Sequence, residues 1–573
     1  MDHGLWSINT ICPVHPKKNA LLLLYRVFSY LTDMKTNTSL LRNGRIRYMA
    51  SALFFAAILC TAQTGFAQRP GFGGQQQAIK DPIVDAIVKE GTENSQLEKL
   101  AHELMDGIGP RLVGSPKMKQ ANDWAVSKYA GWGITARNEK WGEWRGWERG
   151  ITHIDMVAPW TKSLEGTQLA WSPSTGGKTV TGETVIIPDL ADSVAFQQWL
   201  PTVKGKFVLV SMVQPTGRPD YNWEEFGTKE SVEKMKKERS EQTQAWSKRI
   251  AKTGYNARTL AVALENAGAL GVVQSNWSNG FGVNKIFSAN TKKTPTVDLA
   301  LEDYGLLYRL TESGSKPQIS VRADSKETGV QPTFNTIAEI KGSEKPDEYV
   351  MLSAHFDSWD GGTGATDNGT GTLTMMEAMR ILKKILPNPK RTILVGHWGS
   401  EEQGLNGSRA FVEDHPEIVN NLQALFNQDN GTGRVTNISG QGFLHSYEYI
   451  NRWLSKVPGN IRQHITTNFP GSPGGGGSDF ASFVAAGAPA FSISSLSWSY
   501  GNYTWHTNRD TYDKIVFDDV RNNAILAAIM VYMASEDNSK TPRDKSVLPI
   551  NPRTGKPGEW PNPTKATRRG GLN

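Results

Sequence analysis

The chain has 573 residues, enough for two or three domains with sizeable cores. Its 21% charged and 38% hydrophobic residues are ordinary for a globular protein, and its net charge of +7 resides at its ends. Residues 1–67 hold seven Lys/Arg against two Asp, and residues 541–573 hold seven against Asp544 and Glu559; each end nets +5, leaving −3 between them. A body of that charge gives nucleic-acid binding no support.

The first feature in chain order is a leader, taken as residues 1–67. Met49–Ala62 is small and apolar, follows Arg42, Arg45 and Arg47, and leads to Gly65-Phe66-Ala67. Basic, apolar, then small residues is the order of a secretory signal, cleaved near Ala67, with a periplasmic or extracellular destination. The uncharged run is shorter than the ~20 residues of a spanning helix, which argues against a stable membrane span after signal removal. Met34 and Met49 are alternative starts. Cys12 and Cys60 both precede the cut, so the mature chain folds without disulfides.

Gln68–Gln77 is a Gly/Gln-rich lead-in. Asp81–Asp106 reads as a helix, Gly107–Pro116 as a loop and Gln120–Tyr129 as a second helix, making 68–165 the N-terminal part of the principal domain. From about Ser172 the texture changes. Val185–Pro188 and Gly205–Met212 read as short strands, and Leu260–Val273 as an Ala-rich helix running into Gly-Val-Val. Between them, Asp220–Lys252 is a charged, solvated helical stretch. Residues 166–328 are therefore expected to form an inserted, independently packed β-rich unit whose two ends lie close together.

From 329 to 540 strands and helices alternate. The strands are Phe334–Ile340, Tyr349–Ala354, Thr392–Trp398, Leu422–Asn427 and Ala490–Ser494; helices include Ser408–Asp414, Tyr447–Val457 and Asp518–Ser535. The alternation predicts an α/β fold with a mixed, mainly parallel twisted sheet flanked by helices. Residues 541–573, basic and rich in Pro and Gly, are predicted to be an extended tail.

Chemistry gathers at the carboxyl ends of these strands, where open α/β sheets form ligand sites. His355 and Asp357 end one strand, and the glycine-rich loop after it delivers Asp367 to a helix start. Glu401 and Glu402 follow a second strand, Asp429 a third, and His506 lies in the loop after a fourth. Two imidazoles and several carboxylates on one sheet edge are electrostatically costly without cations between them. Mixed N/O ligands in that ratio suit two Zn²⁺ per chain, with positions left open for a shared water.

The order His, twelve residues on to Asp, then Glu-Glu, Asp and His resembles the co-catalytic dizinc exopeptidases. That family includes bacterial leucyl aminopeptidases, glutamate carboxypeptidase II and carboxypeptidase Q. His355-Phe-Asp357-Ser-Trp-Asp, Gly364-Ala-Thr-Asp367-Asn368-Gly, Trp398-Gly-Ser-Glu401-Glu402-Gln-Gly and His506-Thr-Asn-Arg-Asp510-Thr look most like the carboxypeptidase Q branch. Glu265–Val273 resembles part of the protease-associated domain that many members carry as an insert. The resemblance implies that Asp367 bridges the metals, that His355 and Asp429 complete one site, and that Glu402 and His506 complete the other. It implies Glu401 as general base to the metal-bridged water and proton donor to the leaving amine. Asp357 would orient the His355 ring, and the Asp367–Asn368 peptide is often cis in this family. The loop glycines would let backbone approach the metals.

The resemblance also marks Ser478 and Asp479 as substrate-binding candidates, and Tyr503 as the nearest phenol for an oxyanion-stabilising role. His397, inside an apolar strand, reads as a packed histidine; His445, in a Gly-rich loop, is held open as a pocket residue. The function implied is a secreted aminopeptidase or dipeptidase acting on short peptides, and a homodimer is left open. The alternatives are a non-catalytic receptor on the same scaffold, against which an intact Glu401 argues, and a single-zinc enzyme resembling glutaminyl cyclase.

Overall fold

The computed structural model describes residues 81–571, Arg553 aside. The expected leader, signal and Gln68–Gln77 lead-in lie outside the described residues. Four parallel strands, Ala490–Ser495, Leu422–Gln428, Lys345–His355 and Arg391–Trp398, lie side by side in that order. Beyond the first, Val435–Ser439 runs antiparallel. Beyond the last, Gln318–Ile340 runs antiparallel and pairs along Thr135–Ala158.

The strand sequences explain the layers. Val350 and Leu352 enter one core, shared with helices Pro116–Gly131, Thr370–Ile385 and Phe517–Glu536. Met351, between them, enters the opposite core with helices Asn406–Asp414 and Phe480–Ala485, as the two-residue period of a strand requires. Arg391–Trp398 and Leu422–Gln428 are buried at every residue, which is why they read as continuous apolar runs. Each large side chain so buried contributes about 1.5–3 kcal/mol. The four strands thus put their carboxyl ends on one edge of a rigid slab.

Two helical expectations shift in detail. Asp81–Asp106 is divided into Pro82–Glu93 and Leu97–Ala101, the latter continuing as a wider turn to Ile108. Asn94 and Ser95 make the break, since their side chains compete for nearby backbone groups; the Ser95 hydroxyl accepts from the Leu97 N–H. The second helix begins at Pro116, capped by Ser115 Oγ accepting from the Met118 N–H at 3.2 Å. The 24-residue strand Thr135–Ala158 has no counterpart in the sequence reading. Register shifts at Lys140/Gly142, Gly146/Trp147 and Arg149/Thr152 break its alternation, so period-two reasoning misses it.

In the 166–328 region, Val180–Ile186, Lys206–Leu209, Gly271–Gln274 and Thr296–Leu299 are parallel neighbours. Parallel strands need crossovers, and here these include helices. Ser193–Trp199, Ala257–Asn266 and the 24-residue Lys229–Lys252 outweigh the strands, so the region is α/β rather than β-rich. Only Met235 of Lys229–Lys252 is buried, as a solvated helix requires. Nor does the region pack alone: one of its cores takes Ile154, Met156 and Leu164 from the chain before residue 166. The paired strands Thr135–Ala158 and Gln318–Ile340 run from that core into the sheet of the four parallel strands.

Residues 541–552 and 554–571 have little regular structure and lie along the body of the protein. The Arg543 guanidinium donates to the Val419 and Leu422 carbonyls, and the Trp560 indole donates to Val484. Arg569-Gly570 pairs in parallel with Glu143-Trp144. Among the described residues no helix is long and apolar enough to cross a membrane.

Candidate metal centre

The strand edge brings the distant sequence positions together. His355 Nε2 lies 3.0 Å from Asp429 Oδ1, and His506 Nε2 lies 2.9 Å from Glu402 Oε2. Asp367 stands between the pairs: Oδ1 is 3.4 Å from His355 Nε2, and Oδ2 is 3.4 Å from His506 Nε2. The donor atoms of His355, Glu401 and Asp429 lie within 4.8 Å of one another, as do those of Asp367, Glu402 and His506.

Each member is held by backbone as much as by side chain. Asp357 accepts the N–H groups of Glu401 and Glu402 at 3.0 and 3.3 Å, tying the Glu-Glu loop to the His355 loop. The His355 Nδ1–H is taken by the Asp357 main-chain carbonyl at 3.0 Å, while the nearer Asp357 carboxylate oxygen stands off at 3.7 Å. Asp510 accepts the N–H groups of Thr366 and Asp367 at 2.7 and 3.0 Å, aiming the central carboxylate. The Asp367–Asn368 peptide is cis. Arg111, fully buried, donates to the carbonyls of Phe356, Thr363 and Gly364 and so fastens both ends of the intervening loop.

The glycines have a reason other than nearness to a metal. Gly364 has φ +62°, and a Cβ there would fall 2.5 Å from Ser358 Oγ and 2.9 Å from Arg111 Nη2; at Gly362 a Cβ would meet the Asp510 carbonyl at 2.6 Å. They let the loop close on the groups that hold it.

The electrostatics show what the cluster lacks. Burial pushes the Glu401 and Glu402 carboxyls well above the usual range, with neighbouring carboxylates adding to the rise. Burial likewise takes Asp479 and Asp510 up to about 7. Burial disfavours a charged His355, yet Asp429 and Glu401 outweigh it and raise that imidazole; burial takes His506 down to about 4. Asp367 Oδ2 and Glu402 Oε1 are buried with no hydrogen-bond partner. Buried carboxylate oxygens left in that condition cost several kcal/mol unless cations meet them. Two imidazoles, four carboxylates and no thiolate among them fit zinc or a similar borderline cation.

The remaining sequence candidates sit around this centre. Ser478, 3% exposed, accepts from Asn427 Nδ2 at 2.8 Å, and Asp479 is fully buried close enough to Glu401 for its charge to act there. The Tyr503 hydroxyl meets the Tyr221 hydroxyl at 2.9 Å, away from the carboxylates. Tyr500, three residues earlier, instead lies close enough to Asp367 for its hydroxyl and that carboxylate to act on each other. His397 is packed, its Nε2 2.7 Å from the Tyr129 hydroxyl, and burial lowers it to about 3; His445 is exposed. Two cavities, each of about 530 Å³, flank the centre. One is lined by Thr366, Tyr500 and Thr504, the other by Phe287, Trp359, Glu402 and Gln403.

Sequence reasoning assigned no role to Arg111, Tyr500 or Asp510. Asp510 carried a signal, four residues after His506 within the same quoted stretch. Tyr500 shares its short helix with Tyr503, and only the turn of that helix distinguishes the two phenols. Arg111 is a lone arginine in a Gly/Pro loop, with no local pattern to mark it.

The part of the chain that carries this strand edge is similar to known proteins. Residues 335–531 match the model of Peptidase family M28. Carboxypeptidase Q of Homo sapiens is 26% identical over 471 residues, covering 81% of this chain and 90% of that one. A peptidase M28 precursor from Shewanella amazonensis superposes with a TM-score of 0.60 at 23% identity, over 80% of this chain and 98% of that one. A zinc aminopeptidase from Bacillus subtilis gives 0.50 at 18% identity, over 79% and 97%. These two structures speak to the fold.

Proposed function

We propose that this protein is a secreted dizinc exopeptidase, an aminopeptidase or dipeptidase acting on short peptides. One observation carries the reading: Asp367 directs one carboxylate oxygen to each of two histidines, each backed by its own second carboxylate. In this reading His355 and Asp429 hold one zinc, Glu402 and His506 hold the other, and Asp367 belongs to both. Bound zinc supplies Lewis acidity that polarises a peptide carbonyl and acidifies water.

The chain's own groups supply the rest. Glu401, freed from ligation, takes a proton from the attacking water and returns it to the departing amine as the C–N bond breaks. The Tyr500 hydroxyl, near Asp367, would donate to the developing oxyanion. Phe287 and Trp359 line the cavity on the Glu402 side with apolar surface. The similarity to carboxypeptidase Q and to zinc aminopeptidases supports the substrate class, and the basic–apolar–small order before Ala67 supports export.

The test is metal content together with a panel of dipeptides, amino-acid arylamides and doubly blocked peptides. Two zincs per chain with hydrolysis of unblocked substrates is the expected result. One zinc and no peptidase activity would favour the cyclase-like alternative. Two zincs with no hydrolysis would favour the receptor, and cleavage inside doubly blocked peptides would exclude exopeptidase action.

A further inference from the structure

A metal-ligating histidine ordinarily has its second ring nitrogen held by a hydrogen bond, which sets tautomer and ring plane. His355 obeys this through the Asp357 carbonyl. His506 does not: its Nδ1 is buried and has no partner. Its backbone is also left-handed, with φ +60°, a conformation that disfavours a residue with a Cβ by about 1–2 kcal/mol. Something else must fix the ring.

Three aromatic rings surround it. Trp505 lies 4.2 Å away by ring centroids, Phe287 stands edge-on at 5.0 Å and 76°, and Trp359 is at 5.8 Å. Trp505 is the adjacent residue and Trp359 comes from the His355 loop. Phe287 comes from the 166–328 region, and its backbone neighbours grip the same loop. The Ile286 N–H donates to the His506 carbonyl at 2.7 Å, and Lys285 bridges antiparallel to Thr507. The Asn284 N–H donates to Asn508 Oδ1 at 2.9 Å, and the Asn508 N–H returns to the Asn284 carbonyl at 3.1 Å. Ile286, fully buried, fills the space beside Gly361, where a Cβ would fall 2.3 Å from Ile286 Cγ1. The segment is thus wedged between the two loops that carry the histidines.

We propose that Asn284–Phe287 is a positioning element for the His506 half of the centre, and that Phe287 replaces the missing hydrogen bond by packing. The proposal rests on the two-metal reading above. It makes the 166–328 region a determinant of metal affinity at one of two sites, beyond any role in admitting substrate. An edge-to-face pair of rings is favourable in itself, so the contact fixes ring tilt without claiming Nδ1.

The experiment titrates zinc, against a chromophoric chelator, into the metal-depleted full-length chain and three variants. Phe287→Ala is expected to weaken the second equivalent by about 10–100-fold, the range for losing an orienting partner, and to leave the first unchanged. Phe287→Leu, which restores most of the volume, is expected to recover part of that loss. Tyr221→Phe breaks a hydroxyl contact between the same two regions without touching Ile286 or Phe287. It should bind both equivalents as the parent does. Unchanged second-site affinity in Phe287→Ala, or equal weakening in Tyr221→Phe, overturns the proposal. Should Phe287→Ala not melt cooperatively, Phe287→Leu decides, and parental affinity in it is likewise fatal. A parent chain that binds fewer than two zincs defeats the two-metal reading itself, an outcome visible before any variant is compared.

Discussion

His355 and His506 supply the same atom to the same centre, and they are held in opposite ways. His355 ends a strand in the middle of the sheet, paired to Trp398 on one side, 1% exposed, with its ring bonded to a main-chain carbonyl. His506 sits on a loop in a left-handed conformation, 11% exposed, with its ring held by neighbours from three parts of the chain. One half of the centre is a product of the sheet; the other is a product of packing between regions. The two halves should therefore fail differently.

The largest expected effect touches neither half's ligands. Glu401→Gln should lower turnover by about 10²–10⁴-fold while both zincs remain, because in the proposed reading the residue moves protons and holds no metal. Zinc analysis beside kcat checks it; if zinc is lost in proportion to activity, Glu401 belongs to the His355 half as a ligand. Tyr500→Phe comes next, with kcat reduced by about 10²-fold and KM little changed, the pattern for a lost oxyanion donor. A change confined to KM would assign Tyr500 to ground-state binding.

Ligand removal divides the halves directly. Asp429→Ala should lose the zinc at His355 and keep the one at His506, and Glu402→Ala should do the reverse. Cobalt substitution, read by absorption, reports which environment survives. A single spectrum for both variants would mean that the centre binds its metals as one unit. Asp357→Asn should be milder, about tenfold in kcat. It weakens the charge-assisted acceptor for the Glu401 and Glu402 amides but leaves the carbonyl that orients His355. The smallest effect lies outside the centre. Tyr129→Phe leaves His397 buried without its partner and should cost about 1–3 kcal/mol by denaturant unfolding, with zinc content and activity unaltered.

The same contrast explains what could be read before any coordinates. The strands ending in His355, Trp398 and Gln428 are apolar runs bounded by turn residues, so their carboxyl ends, and the acids just beyond, were visible in one dimension. The order of the five ligands carried the rest of that half. His506 was legible only as a member of that order: nothing in Trp505-His506-Thr507 foretells a left-handed backbone or a ring from residue 287 against it. Contacts of that kind join positions more than two hundred residues apart, and neither periodicity nor spacing encodes them. The bulged strand Thr135–Ala158 was missed for a local reason, since each bulge reset the alternation. Tyr500 and Tyr503 could not be separated because their places on one short helix, rather than residue type, distinguish them.

The paired strands Thr135–Ala158 and Gln318–Ile340 have a consequence for how the chain reaches this state. Thr135 pairs with Glu339 and Ala158 with Gln318, so the ribbon closes around the whole intervening segment. The entropy of closing so long a loop grows only slowly with length, about 0.6 kcal/mol per doubling, and the equilibrium tolerates it. The rate does not escape as easily, because pairing between positions this remote precedes the contacts that reward it. A core of residues 166–317 is completed by Ile154, Met156, Ile319 and Val321 of the ribbon itself, so that segment and the adjoining end of the ribbon order together. Refolding from denaturant should then be paced by that segment, with the catalytic half waiting on it and metal uptake last of all.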